Sequence, residues 1–229
     1  MKPSIGIIGQ GRFGTLAKTW ISSGFKVVAC DKGGNLEKAC KQDIVLLCVP
    51  ISSLEDLLHE IRPFLRPGTL VIDVCSVKEH PMNLMRKLLP KSVSFIGTHP
   101  LFGPDSIEDS LQGKRVVVCK GSAPKKTHKN LVACLKKEGL KIIESTPQEH
   151  DRQMAETLLL TQFVGRGLLN FGAKPLPMST NGHLALMEIA RTVGNDTPQL
   201  FRDMNRFNRF AAPMRKKLLK AMHQVDEES

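Results

Sequence analysis

A short apolar run, Ile5 to Ile8, leads straight into Gly9-Gln10-Gly11-Arg12-Phe13-Gly14, and this junction restricts the fold of the chain more than any other stretch. A helical segment follows through Trp20 to Ser23, and a second apolar strand, Phe25 to Cys30, ends at Asp31. The order is strand, GxGxxG, helix, strand, acid. Gly9 permits the tight turn, Gly11 lets the backbone approach a pyrophosphate, and Gly14 lets helix and strand pack closely. The N–H groups at the start of the helix then face the phosphates. Asp31 lies 20 positions after Gly11, where a carboxylate accepts both ribose hydroxyls of an adenosine. That carboxylate repels a 2′-phosphate, so NAD is expected over NADP, with Lys32 beside it softening the repulsion and leaving NADP open.

The alternation continues. Asp43 to Val49 is a continuous apolar run suited to a sheet covered on both faces, and Pro50 ends it. A helix capped by Ser52 or Ser53 is predicted to Arg62, burying Leu54, Leu57, Leu58 and Ile61. Further strands are predicted at Thr69–Val74, Val93–Ile96, Arg115–Cys119 and Leu140–Glu144. Helices are predicted at Pro81–Leu89 and Lys126–Glu138. Strands alternating with helices imply an α/β fold, an open and mostly parallel Rossmann-type sheet. In such sheets ligands sit beyond the carboxyl ends of the strands. Gly9 to Gly14, Asp31, Val49-Pro50, Ser76 and His99 are therefore expected along one edge.

From Thr146 the strand-like runs stop. A long helix is predicted over Gln148–Asn170, then helices at 181–193, 197–208 and 211–224, with Thr197-Pro198 as an N-cap and first helical residue. The expected organisation is a dinucleotide-binding domain at 1–147 and an all-helical domain at 148–229. A helical region of about 80 residues is small and depends on packing against the first domain or a second copy.

Composition narrows the function. The net charge is +11, yet there is no Tyr and one Trp, so the aromatic platforms of a nucleic-acid surface are missing. The charge reads as solvated Lys/Arg faces, or as attraction of a small anionic substrate. No apolar run approaches the ~20 residues of a membrane span. The start of the chain has no leader pattern, so a cytoplasmic setting is expected. Six scattered cysteines without a CxxC read as buried thiols, and no metal site is expected.

Candidate chemistry centres on Gly97-Thr98-His99-Pro100-Leu101-Phe102-Gly103-Pro104, where two prolines and two glycines fix a non-helical path around one histidine. His150 and Asp151 are adjacent at the start of a helix and do not face each other, so the pair reads as a cap rather than a dyad. Gln162 is a polar residue on an apolar face, either a core hydrogen bond or the edge of a pocket. Arg191 follows the apolar stretch Leu184–Ala190 and suits either a structural ion pair, with Asp196 or Asp203 as partner, or a substrate carboxylate.

Together these pieces resemble the prephenate/arogenate dehydrogenase family of tyrosine biosynthesis. The matching segments are Gly9-x-Gly11-x-Phe13-Gly14, Asp73-Val-Cys-Ser76-Val-Lys78, Gly97-Thr-His99-Pro-Leu-Phe-Gly103-Pro, Glu149-His-Asp-Arg152, Leu160-Thr-Gln162-Phe-Val-Gly165-Arg and Asp196-Thr-Pro-Gln-Leu-Phe-Arg202-Asp. They run in family order over nearly the whole chain and most resemble the short plant-type members. The resemblance implies an NAD(P)-binding domain followed by a helical dimerisation domain, and oxidative decarboxylation of a cyclohexadienol. It implies His99 as the catalytic histidine, Ser76 as its hydrogen-bonding partner, and Gln162 and Arg191 as substrate contacts. Many members carry a histidine where this chain has Gln162, which donates to a substrate oxygen but carries no charge. A guanidinium at Arg191 suits the keto acid of prephenate, whereas an acid there would suit the ammonium of arogenate. Competing readings are a lysine-dependent dehydrogenase of the same architecture and a non-catalytic NAD-binding sensor.

Overall fold

The computed structural model describes residues 2–107 and 110–229. The chain forms two compact units, the first ending at His150 and the second running Asp151–Ser229. Among the described residues no helix is long and apolar enough to cross a membrane.

The first unit is built on seven strands: β1 (Ile5–Ile8), β2 (Val27–Cys30), β3 (Ile44–Leu47), β4 (Leu70–Asp73), β5 (Ser94–Pro100), β6 (Arg115–Cys119) and β7 (Lys141–Ser145). They form one sheet in the order β2-β1-β3-β4-β5-β6-β7. Every neighbouring pair is parallel except β5–β6. The helices are α1 (Arg12–Ser22), α2 (Leu36–Cys40), α3 (Leu54–Ile61), α4 (Glu79–Leu88) and α5 (Lys125–Lys137). The α/β alternation read from sequence is therefore the fold, with β1 and β6 as predicted and β2, β3 and β4 shorter by two or three residues. One core cluster joins Ile5, Ile7, Leu46, Leu70, Ile72 and Ile96 with Val116 and Val118. On α3, Leu54, Leu58 and Ile61 are buried as the helical spacing requires. Its start differs from expectation: a single 3₁₀ turn, Ile51–Ser53, precedes it, and the Ser53 side chain makes no cap bond.

β5 departs most from the sequence reading. It does not stop at Ile96 but runs through His99 to Pro100, with His99 opposite Val117 of β6. Pro100 is tolerated because Leu101 N–H bonds the Arg115 carbonyl at 2.9 Å. Antiparallel pairs alternate between bonded and non-bonded, so Pro100 falls opposite Val116 at a position that asks for no N–H.

The predicted long helix comprises α6 (Pro147–Met154), a π-helical turn at Ala155–Leu159 and α7 (Leu160–Phe171). Then come α8 (Asn181–Gly194), α9 (Pro198–Phe207) and α10 (Ala211–Glu227). Thr197 caps α9, its hydroxyl accepting Leu200 N–H at 3.1 Å, with Pro198 in the first turn as predicted. Gly165 lets α7 approach α8: a Cβ there would lie 2.8 Å from Val193 Cγ2.

Candidate active site

The strand register places the candidate residues. Ile8 pairs with Cys30 and with Leu47, Leu47 with Asp73, and Asp73 with Gly97. Gly9, Asp31, Cys48 to Pro50, Val74 to Ser76, and Thr98-His99 all follow that row. The expected sheet edge is thus present within the first unit.

At its centre is the β1–α1 turn. Gly9 has φ +97°, and a Cβ there would come within 2.3 Å of the Cys48 carbonyl oxygen. At Gly14 a Cβ would stand 1.9 Å from the Gly9 carbonyl oxygen, so the helix can start this close to the strand only without one. Gly11, by contrast, has nothing within 4 Å of a Cβ and faces open space. This is the cradle a pyrophosphate needs: a rigid turn below, free backbone above, and the start of an 11-residue helix. Gln10 folds back, its Nε2 donating to the Gly9 carbonyl at 3.1 Å. Arg12 pairs with Asp105 at 2.6 Å, and Phe13 meets Phe102 with ring centroids 6.5 Å apart. These two contacts tie the glycine turn to the segment following His99. Asp31 is exposed at the end of β2, with one carboxylate oxygen accepting Lys32 N–H at 2.9 Å.

His99 is 6% exposed, and its Nδ1 lies 2.9 Å from Nε2 of His150, which is 2% exposed. The rings meet edge to face with centroids 5.1 Å apart. α6 presents His150 from its first turn, which Thr146 caps by accepting Glu149 N–H at 3.2 Å. The capping role foreseen for His150 thus belongs to Thr146, and His150 is instead the histidine's neighbour. Ser76, partly buried, follows β4 at the adjoining strand end. Burial above all, then His150 and the Lys78 ammonium, hold the His99 pKa well below the usual 6.5. His99 is therefore neutral at neutral pH. Thiol chemistry is disfavoured nearby, since burial pushes Cys48 up to about 12 and Cys75 higher still.

One consequence is measurable. For a reaction in which His99 serves as base, the acid limb of kcat/KM is expected below pH 6.5, because protonating it removes the acceptor. An acid limb centred above pH 7 would contradict this environment. Stability follows the same sign: below pH 6.5 the unfolded chain takes up a proton that folded His99 resists, so stability falls as pH falls.

In the second unit Gln162 is 3% exposed and donates through Nε2 to Asp196 Oδ2 at 2.6 Å. Its Oε1 is buried with no hydrogen-bond partner. Arg166 donates to the Asp196 carbonyl at 3.0 Å and stacks over Phe201 with 4.7 Å to the ring centroid. Arg191 is held one turn along its own helix by Glu188, at 2.8 and 2.6 Å, with its side chain 61% exposed. Glu188, an acid the sequence reading did not name, is thus a partner of Arg191.

A mostly parallel sheet with a glycine turn open to a pyrophosphate, an exposed acid after β2 and a neutral buried histidine on the same edge fits the class of nicotinamide-dependent dehydrogenases. Comparison with known proteins gives the family. The model of the prephenate dehydrogenase nucleotide-binding domain matches residues 17–144, and that of a TYRAAT1-like C-terminal domain matches 168–228. Arogenate dehydrogenase 2, chloroplastic, of Arabidopsis thaliana is 32% identical over 98% of this chain and 69% of its own length. A probable arogenate/prephenate dehydrogenase of Methanocaldococcus jannaschii is 35% identical over 76% of this chain, which spans 41% of that protein. Among solved structures, prephenate dehydrogenase from Aquifex aeolicus, in complex with hydroxyphenyl propionate and NAD+, superposes with a TM-score of 0.78 at 20% identity. That match covers 99% of this chain and 90% of the other. The chain belongs to the prephenate/arogenate dehydrogenase family.

Proposed function

We propose that this protein oxidatively decarboxylates a cyclohexadienol of the prephenate type, with His99 as general base. The observation that carries the reading is the buried, neutral His99 on the sheet edge that also holds the Gly9–Gly14 cradle. Gly9 to Gly14, Asp31, Val49 and Pro50 would hold the dinucleotide, which when bound accepts hydride from the ring carbon bearing the hydroxyl. His99 takes the hydroxyl proton through Nε2, which requires its Nδ1–H to be donated to His150 Nε2. Ser76 orients the same hydroxyl. The C1 carboxylate leaves as carbon dioxide, its bonding electrons entering the ring, which becomes aromatic and then recovers a proton on oxygen. Aromatisation supplies the driving force, so the side chains position and deprotonate.

Gln162 and Arg191 are the proposed contacts to the rest of the substrate. The Arg191 guanidinium suits prephenate, which would have to displace Glu188. A second reading, arogenate, is favoured by the Asp196 carboxylate beside Gln162, whose amide oxygen is still unsatisfied: acceptors suit an ammonium. Asp31 favours NAD over NADP. Apolar side chains on the second unit, among them Phe171 and Met178 at 85% and 94% exposure, support a homodimer formed through the helices.

The test is reduction of NAD or NADP, followed by nicotinamide absorbance, on adding prephenate or arogenate. Turnover with either substrate supports the reading. Cofactor binding with neither substrate oxidised would make the protein a dinucleotide sensor.

A further inference from the structure

Lys78 is held where an amine is seldom left: neither its side chain nor that of Asp73 has any exposure. Its Nζ donates to Asp73 Oδ1 and, at 2.6 Å, to the carbonyl oxygen of Thr98, the residue immediately before His99. Asp73 Oδ1 also accepts Cys75 N–H at 3.0 Å, and the Thr98 hydroxyl donates to the Asp73 carbonyl at 2.7 Å. Three places are thereby joined: the last residue of β4, the residue preceding α4, and the backbone that presents the imidazole. The knot leaves no room at Gly97, where a Cβ would lie 2.7 Å from Met82 Sδ and 3.2 Å from Asp73 Oδ2.

Stability is a poor explanation for such a pair. Well-packed apolar residues in place of a buried ion pair are often as stable or more so, because two charges must be stripped of water. Proximity to His99 is the better explanation. We infer that Lys78 is a positioning residue for His99: bound to Asp73 and to the Thr98 carbonyl, it fixes the strand end that carries the imidazole and keeps a positive charge beside it. The inference rests on the reading of His99 as the base. Among the described residues, those set against His99 are His150 from α6, Lys78 with its partner Asp73 from the β4–α4 junction, and apolar Val117 opposite it on β6. Burial raises the Asp73 carboxyl and Lys78 draws it back down, while Lys78 and His150 both disfavour a charged His99.

The test is Lys78→Met, which keeps the length of the stem and removes the donor and the charge. Expected are a tenfold or greater fall in kcat/KM, cofactor affinity unchanged within twofold, and an acid limb displaced to higher pH by about half a unit or more. A purely structural role would lower Tm or the active fraction without moving that midpoint. The Asp73→Asn/Lys78→Met double variant leaves no unpaired buried carboxylate and serves if the single variant fails to fold; a smaller upward shift is expected from it. The midpoint of the His99–His150 pair is also read without substrate, by NMR titration of ¹³C-labelled histidines assigned with His99→Asn. An unchanged midpoint in both variants overturns the inference. Absence of wild-type turnover on prephenate and arogenate would instead overturn the functional reading, and the NMR midpoint would still decide the role of Lys78.

Discussion

Asparagine in place of His99 is expected to lower kcat by about 10²–10⁴, or about 2.7–5.4 kcal/mol of barrier, with cofactor affinity unchanged. The amide keeps a polar group within reach of His150 but cannot take a proton at neutral pH. Cofactor binding is expected to survive because the proposed pyrophosphate cradle, Gly9 to Gly14, belongs to the β1–α1 turn rather than to β5. Folding survives because the substitution puts a smaller neutral group where burial already disfavours charge. Steady-state absorbance gives kcat, and quenching of Trp20 fluorescence by the dinucleotide gives the affinity. His150→Phe is expected to cost less than His99→Asn, since it removes the partner of Nδ1 and leaves the base. Turnover within a few-fold of wild type for His99→Asn would remove His99 from the chemistry.

Why some of this was legible in the sequence and some was not follows from the range of each signal. The glycine turn, Asp31 and the row of strand ends were legible because βαβ order is local: each apolar run, its terminator and the next helix lie within a few tens of residues. Thr197-Pro198 was legible for the same reason. The extension of β5 through His99 was not, because two glycines and two prolines normally signal a loop. Only the alternation of bonded and non-bonded pairs against β6 shows why Pro100 fits a strand. His150 was discounted on its spacing to Asp151, whereas its neighbour is 51 residues away and is set by topology.

The ion pairs show the same limit. Lys78 sat in plain view in the Asp73–Lys78 segment, but a spacing of five along an irregular turn gives no sign that the two side chains meet in full burial. Arg191 was read against acids downstream, while the structure pairs it with Glu188, three residues upstream on the same helical face. The π-helical turn at Ala155–Leu159 was not foreseen: a widened turn takes up an extra residue, and the buried positions after Met154 and Ala155 fall at Leu159 and Gln162. Gln162 was read as either a core hydrogen bond or a pocket edge. The structure shows the hydrogen bond through Nε2 and leaves Oε1 buried without a partner.

Alanine at Gly14 and alanine at Gly11 are expected to fail in opposite ways, although both alter the same six-residue turn. At Gly14 the new methyl would sit 1.9 Å from a backbone oxygen, which no side-chain rotation relieves, so α1 must move off β1. Overpacking of this kind costs about 3 kcal/mol or more, a large share of the ~5–15 kcal/mol that holds a domain folded. Thermal unfolding is expected about 6–12 °C lower, or the protein is not recovered folded. At Gly11 the backbone has φ −65° and ψ −171°, which alanine adopts without strain, and the methyl meets nothing within 4 Å. Stability is expected to change by less than about 1 kcal/mol. The methyl instead occupies the approach to the helix start, so dinucleotide affinity is expected to fall tenfold or more, about 1.4 kcal/mol. Differential scanning fluorimetry with and without NAD reads both effects at once. The Gly14→Ala midpoint falls in either condition, and the Gly11→Ala midpoint matches wild type until NAD is added and then fails to rise with it. Gly11→Ala binding NAD as tightly as wild type would mean that the pyrophosphate does not lie over this turn.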